Sequence, residues 1–292
     1  MLETNKSSLL KRQTLTDGEA LAIEQLMTTC NAYEGLRMRL SMELLRERSG
    51  TETNDFLYYE DGVLAGYLNI DSYGVLEKEV TGMVHPDFRR RGIFRKLLAA
   101  AKEECDRRAV QKLILVCEHI SRSGQEFVQT IGANHDFSEH EMGLGTLRER
   151  PAADPRLRMR KAGLEDQEVL ALVHATSFGD DIEGSRRYVT KCLQHAWNTF
   201  YLGTLGEEAV GCLRVDEMGQ ECGIYGFGVR PEYQGRGYGR QMLQYIIHIL
   251  RAESEKSIML DVETDNTNAV GLYLSCGFEI RTTYGYYSLN IP

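Results

Sequence analysis

Proline is scarce, with 5 residues in 292, and tryptophan occurs once. The seven cysteines (Cys30, Cys105, Cys117, Cys192, Cys212, Cys222, Cys276) include no CxxC pair and no other metal-ligand spacing. Their odd number and wide separation exclude a disulfide framework or a zinc ribbon, so they are expected as reduced thiols packed as small hydrophobes. His85, His119, His135 and His140 also fit no ligand spacing, and no metal is expected. No segment approaches the 18 or so consecutive apolar residues of a membrane span. The opening stretch MLETNKSSLLKRQTLTDGE lacks the apolar core of a signal peptide. A soluble, cytoplasmic protein is the expectation, with no membrane partner.

Positive charge is also in short supply: 34 Lys and Arg face 43 Asp and Glu, for a net charge of −9. Residues 1–150 carry −4 of this and the remainder −5, so neither half is a basic module. Nucleic-acid phosphates would be approached against this field, and no nucleic-acid partner is expected. A basic small molecule or peptide suits the field better.

What is present is a repeat. Val84–Glu104 reads VHPDFRRRGIFRKLLAAAKEE, and Val229–Ile249 reads VRPEYQGRGYGRQMLQYIIHI. An offset of 145 aligns Gly92 with Gly237, and also Val84 with Val229, Glu118 with Glu263 and Gly132 with Gly277. One offset serving two separate motifs indicates duplication of a whole domain, on a chain long enough for two. Thr146–Pro155 (TLRERPAADP) has the proline content and lack of apolar periodicity of an exposed linker, so the domains are expected at 1–150 and 151–292.

In the second half, alternation and apolar spacing predict strands near 157–160, 199–204, 209–215, 223–229 and 258–263, then 278–283 and 286–290. Helical patterns fall near 166–174, 184–196, after Gly239 and at 269–275, the last closed by Gly277. This order implies an α/β (α+β) fold, each domain a mixed, mostly antiparallel sheet flanked by helices.

The chemistry concentrates in Gln234-Gly-Arg-Gly-Tyr-Gly239, placed after a strand and opening a helix. Alternate glycines leave backbone N–H groups uncovered, and a helix N-terminus adds unpaired donors, a combination suited to a pyrophosphate. A flexible turn before a helix is the plain alternative. A dinucleotide fingerprint is excluded because Arg240 stands where its third glycine belongs, and GxxxxGK[ST] is absent. Downstream, Asn266-Thr-Asn-Ala269-Val-Gly-Leu-Tyr273-Leu-Ser-Cys-Gly277-Phe278 follows the strand-like LDVE.

Together these two segments resemble the GCN5-related N-acetyltransferase (GNAT) superfamily, marked by [QR]xxGx[GA] and NxxAxxLYxxxGF. The tandem layout looks like the two-domain members that include mycothiol synthase. The resemblance implies an acetyl-CoA-dependent N-acetyltransferase acting by direct attack in a ternary complex. Backbone N–H groups of Gly235, Arg236, Gly237, Tyr238, Gly239 and Arg240, opened by Gln234, would hold the pyrophosphate. Phe227, Gly228 and Val229 would pair with the pantetheine arm and polarise the thioester carbonyl. Asn266, in the motif it shares with Ala269, would bind the arm's amide, and Tyr273 would protonate the departing thiolate. Alternatively, Tyr273 is a half-buried helix aromatic beside Leu272.

The general base is harder to read. Met259, Asp261 and Glu263 share one face of a strand, and Glu263 lies nearest the cofactor motif, yet it equally suits a solvated strand end. The superfamily often uses a glutamate on the strand before the Gly-rich loop, and Gly223–Val229 carries none; Tyr225 or Glu221 are substitutes.

The first half departs from the pattern. Phe94 replaces the last glycine of Arg89-Arg-Arg-Gly92-Ile-Phe94, and Ser121, Gly124 and Val128 align with Asn266, Ala269 and Tyr273. That half is expected to be degenerate, though its backbone and arginines suit CoA. A primary amine of a small molecule is the expected acceptor, with a protein or peptide amine, or a non-catalytic CoA-sensing role, as alternatives. Ser177–Trp197 and Thr283–Tyr287 are the stretches from which acceptor specificity would arise, the run Tyr284-Gly-Tyr286-Tyr287 being either a pocket lining or an ordinary strand. A monomer and a homodimer are equally compatible.

Overall fold

The computed structural model describes residues 7–46, 48, 50–71, 76–151 and 154–291. Residues 1–6 of the opening stretch and 152–153 of the linker lie outside the described residues. Two units are formed, Met1–Ser138 with Thr282–Pro292, and Glu139–Arg281.

In chain order the N-terminal unit contains β1 (Ser7–Arg12), α1 (Asp17–Glu34), α2 (Met42–Arg46), β2 (Asp55–Glu60), β3 (Val63–Asp71), β4 (Glu77–Val84), α3 (Ile93–Arg107), β5 (Lys112–Glu118) and α4 (Arg122–Thr130). β6 (Asn134–Leu144) carries the chain into the C-terminal unit. There follow β7 (Leu157–Lys161), α5 (Gln167–Phe178), α6 (Ile182–Leu193), β8 (Asn198–Leu205), β9 (Glu208–Met218), β10 (Glu221–Val229), α7 (Tyr238–Glu253), β11 (Ser257–Glu263), α8 (Thr267–Cys276) and β12 (Phe278–Asn290). The 145-residue offset carries β5 onto β11 end for end, and starts α3 on α7 and α4 on α8.

Each sheet is mixed and mostly antiparallel, as the sequence pattern predicts. The N-terminal unit runs β1-β2-β3-β4-β5-β12 and the C-terminal unit β7-β8-β9-β10-β11-β6. In each, one parallel pair, β4–β5 or β10–β11, interrupts antiparallel neighbours. The sixth strand of each unit comes from the other half of the sequence. Tyr284–Asn290 of β12 pair with Glu118–Lys112 of β5, while Glu139–Gly143 of β6 pair with Glu263–Met259 of β11. A cut at 150/151 therefore describes order along the chain, whereas the compact units include the exchanged strands.

Local chemistry accounts for the main helices. Thr16 and Glu19 form a reciprocal capping box that starts α1, and Gly35, at φ 71°, ends it. In α7 the buried stripe is Met242, Leu243, Ile246, Ile247 and Leu250, with Ile249 only half-buried. All seven cysteines are buried and unpaired. Burial pushes the Cys30 thiol up to about 11 and those of Cys117 and Cys212 up to about 12, so they pack as neutral groups. No helix among the described residues is long and apolar enough to cross a membrane.

One expectation is corrected. The strands expected at 278–283 and 286–290 are a single 13-residue strand. Gly285 is no turn: a Cβ there would lie 2.7 Å from the Tyr287 ring, so glycine makes room for the side chain two residues on along the same face. Tyr284, Tyr286 and Tyr287 consequently belong to the N-terminal unit. Tyr284 is buried, its hydroxyl donates to the Arg37 carbonyl, and the Arg39 guanidinium covers its ring at 4.3 Å. Tyr284→Ala is expected to destabilise the N-terminal unit by about 3–5 kcal/mol, as for other buried aromatics, measured as an earlier denaturant transition for that unit.

Candidate active site

In the C-terminal unit, β10 and β11 keep parallel register only from Glu221↔Ser257 to Ile224↔Leu260, although β10 continues to Val229 and β11 to Glu263. Beyond Ile224 the two strands part, leaving a crevice at their carboxyl ends, where ligands of open α/β sheets bind. A bulge falls there: the register of β10 with β9 shifts between Tyr225 and Gly228. Gly226 takes φ 53° within the bulge, a conformation side chains resist.

The Gly-rich segment stands at the same end of the sheet. Gly235 (φ 72°) and Gly237 (φ 83°) are both left-handed, and Gly237 opens α7 with no side-chain cap. The first helical bond is Gln241 N–H to the Gly237 carbonyl, so the N–H groups of Gly235 through Arg240 have no partner among the described residues. Six consecutive unpaired donors at a helix N-terminus, in a turn whose glycines carry no side chains, fit a pyrophosphate. The surrounding side chains brace the turn. Gln234 Nε2 donates to the Val229 carbonyl (2.8 Å), the buried Tyr238 donates to Asp154 (3.1 Å), and Arg240 donates to Ser275 Oγ (2.7 Å) near the end of α8. The exposed Arg236 guanidinium sits 5.9 Å from the Tyr233 ring centre.

Asn266 is the N-cap of α8, its Oδ1 accepting from the Ala269 N–H at 3.1 Å. Tyr273, one helical face further on, is buried between Phe227 (ring centres 6.4 Å) and Phe278 (6.0 Å). Its hydroxyl makes no hydrogen bond among the described residues, and burial pushes it up to about 12, so it stays protonated at neutral pH. Phe227 and Val229 are half-buried at the end of β10, and Gly228 is buried. Glu263 is exposed at the end of β11, opposite Glu139.

Sequence reasoning missed the groups that α5 and α6 bring to the bulge. Arg214 of β9 forms a bidentate pair with Asp216 (2.6 and 2.7 Å) and donates to Tyr188 Oη (2.7 Å). The Tyr188 hydroxyl lies 3.2 Å from where a Gly226 Cβ would stand, and His174 Cδ2 lies 3.9 Å from that point. Tyr188 falls within the Ser177–Trp197 stretch expected to shape acceptor specificity, but nothing in the sequence singles it out there, and nothing marks His174 on α5. Tyr225 folds its ring against Gly223, where a Cβ would fall 2.3 Å from it. Among the described residues, no cluster of three or more His, Cys, Asp or Glu is positioned to hold a metal ion.

The N-terminal unit repeats this framework with substitutions. β4 and β5 hold register only from Glu77↔Lys112 to Val80↔Leu115, and Gly92 opens α3 at φ 74° without a side-chain cap. Arg90 occupies the left-handed position of Gly235, at φ 66°. Phe94 stands at the position of Gly239, and Gly82 at that of Phe227. A Cβ on Gly82 would lie 2.9 Å from the Phe94 ring, so one aromatic has moved from strand to helix across the same space. Phe94 packs edge-on against Phe127 (4.7 Å), and the buried Val128 fills the position of Tyr273. A cleft of about 770 Å³ opens here, lined by Gly82, Arg89, Phe94, Glu118 and Tyr284 among others. Glu118, the counterpart of Glu263, is buried and accepts from Thr282 Oγ1 (2.5 Å) and the Arg37 N–H (2.8 Å).

Because a left-handed backbone costs a residue with a side chain about 1–2 kcal/mol, Arg90→Gly is expected to stabilise the N-terminal unit by about 1 kcal/mol. The exposed Arg90–Glu126 ion pair (3.0 Å) that it removes contributes little. Thermal or denaturant unfolding checks the sign, which reverses if the ion pair outweighs the strain.

Comparison with known proteins agrees with this geometry. The model of the acetyltransferase (GNAT) family matches residues 22–132 and again 167–278. A mycothiol acetyltransferase of Streptomyces griseus subsp. griseus is 28% identical over 283 residues, covering 90% of each chain. One of Mycolicibacterium vanbaalenii is 24% identical over 336 residues, covering 98% of this chain and 99% of its own. A GCN5-related N-acetyltransferase of Sphaerobacter thermophilus superposes with a TM-score of 0.79 at 22% identity, over 97% of this chain and 96% of its own. A tandem GNAT protein from the clavulanic acid biosynthesis pathway gives 0.75 at 16% identity, over 98% and 99%. With the family matched in each half, and two units repeating one architecture around an uncapped, Gly-bearing helix start, the chain belongs to the acetyltransferase (GNAT) family as a tandem member, an acetyl-CoA-dependent acyltransferase.

Proposed function

We propose that the protein transfers the acetyl group of acetyl-CoA to a primary amine of a small molecule, by direct attack in a ternary complex at the C-terminal unit. The observation that carries this is the run of unpaired N–H groups from Gly235 to Arg240 at the mouth of the β10/β11 crevice, with the unpaired Tyr273 hydroxyl on the neighbouring helix. The relatives' names support a small-molecule acceptor over a protein one, since those proteins are named for a small thiol.

Acetyl-CoA supplies an activated acyl group with a thiol leaving group. The turn at Gly235–Arg240 binds the pyrophosphate through backbone donors, and the N-cap Asn266 presents its amide to the pantetheine arm. At Phe227–Val229 the strand edge released by the splay pairs with that arm. One N–H there polarises the thioester carbonyl, a contribution of about 3 kcal/mol per donor. Tyr273 delivers its proton to the departing thiolate and regains one from the attacking nitrogen, for which a phenol raised by burial stays protonated. We further propose that the N-terminal unit performs no transfer, because Val128 has no proton to give.

Tyr273→Phe is expected to lower kcat by about 10- to 100-fold while acetyl-CoA affinity, measured by calorimetry, changes less than about twofold. Unchanged turnover would remove Tyr273 from the reaction. In the full chain, Gly237→Glu places a side chain and a negative charge in the anion turn, and turnover is expected to vanish. Remaining turnover would show that the N-terminal unit is itself a catalyst.

A further inference from the structure

We propose that His174 of α5 is the group that takes the proton from the acceptor's ammonium in the C-terminal unit, with Asp180 and Ser185 as its positioning residues. This rests on the acetyl-transfer reading above. A primary amine is protonated at neutral pH and must lose one proton before its lone pair can attack. β10 offers no carboxylate for this at its bulge, since Gly223–Val229 contains no Asp or Glu and Gly223 is covered by the Tyr225 ring.

His174 reaches the bulge from the helical layer. Its ring packs at a tilt against Phe178 (4.6 Å, 42°) and Tyr188 (4.7 Å, 37°), which limit its rotation. Nδ1 lies 3.1 Å from Ser185 Oγ and 3.7 Å from Asp180 Oδ2. In the tautomer with the proton on Nδ1, donated to Ser185 Oγ and favoured by the Asp180 carboxylate just beyond hydrogen-bond distance, the lone pair falls on Nε2. His174 Cδ2 lies 3.9 Å from the point where a Gly226 Cβ would stand, and Nε2, bonded to Cδ2, makes no hydrogen bond among the described residues. Three residues along α5, Ser177 packs against Gly228, and its Oγ is buried without a hydrogen-bond partner. A polar atom of a ligand at the bulge would complete it.

The ionisable surroundings act in two directions. Burial holds the His174 imidazole below its ordinary value, Asp180 pulls it up and Arg214 of β9 pushes it down. From α6 the facing groups are Ser185 and Tyr188, and burial keeps the Tyr188 phenol neutral. The bulge of β10 adds no charged side chain. His174 is therefore neutral near pH 7, as a proton acceptor has to be.

The step balances without a further reactant. Nε2 takes one proton from the ammonium and later returns it to solvent. The free amine forms the C–N bond as the C–S bond breaks, and its second proton passes by way of Tyr273 to the thiolate, giving amide and CoA thiol.

The test is acetyl-CoA consumption by the full chain with glucosamine, tyramine and spermidine as probe amines, across pH. The native rate is expected to fall as pH drops through the His174 pKa. His174→Gln should lower kcat at pH 7 by about 100-fold, leave KM for acetyl-CoA unchanged and abolish that limb, the rate recovering as pH approaches the amine's own pKa. Asp180→Asn, at an exposed residue that does not threaten folding, should shift the limb to lower pH by removing the charge that raises it. A native chain active on a probe, with both variants keeping its rate and pH profile, overturns the role of His174 alone. A native chain inert toward every probe overturns both this inference and the reading beneath it.

Discussion

Parallel strands in a twisted sheet stay hydrogen-bonded only while their directions agree, and in each unit the single parallel pair loses agreement midway. Beyond Ile224 and Leu260 the parallel register of β10 with β11 is not continued among the described residues. The bulge at Gly226 turns β10 outward at the same level. Backbone groups where a strand pair ends inside a fold need polar partners, and the proposed pairing with the amide-bearing arm of acetyl-CoA would use this level. The glycine turn at the start of α7, the N-cap of α8 and the α5 face all meet this level because each follows or covers the same strand ends.

The two units show which parts of that arrangement the fold needs and which the chemistry needs. Where a residue shapes the backbone, its counterpart keeps the job with different atoms. Ser121 caps α4 as Asn266 caps α8, Arg90 accepts the left-handed turn of Gly235, and Phe94 over Gly82 fills the space of Phe227 over Gly239. At the residue proposed to move a proton, the counterpart has none to give: buried Val128 stands at the position of Tyr273. Glu118 instead ties Arg37 and Thr282 together in the buried interior of the N-terminal unit. Packing tolerates exchange of partners at constant volume, whereas an O–H has no apolar substitute.

Beside the bulge, the half-buried Arg214–Asp216 pair matters chiefly through what it holds. Desolvating two charges consumes most of their attraction. Arg214 also donates to Tyr188 and lies 5.3 Å from the Tyr225 ring centre, so one guanidinium sets two aromatics around the bulge. Tyr188 in turn clamps the His174 ring. The pair thus reads as a specificity device for the geometry of this corner more than as a source of stability.

Much of this was legible in the sequence. Duplication, the mixed sheet, the left-handed glycine turn that opens α7 and the α8 motif are properties of local spacing, which neighbours along the chain dictate through period, capping and glycine conformation. Gly235, Gly237 and Asn266 take the backbone roles their residue types imply. What local spacing does not carry is which strand completes which sheet. β12 joins β5 and β6 joins β11, because register between distant segments is chosen by the edges each unit leaves open. The tyrosine run 284–287 therefore falls in the N-terminal unit, although it closes the sequence of the second half. The approach of His174, Ser177 and Tyr188 to Gly226 was equally invisible, since residues on α5, α6 and β10 separated by tens of positions meet only when helices pack across a bulged strand.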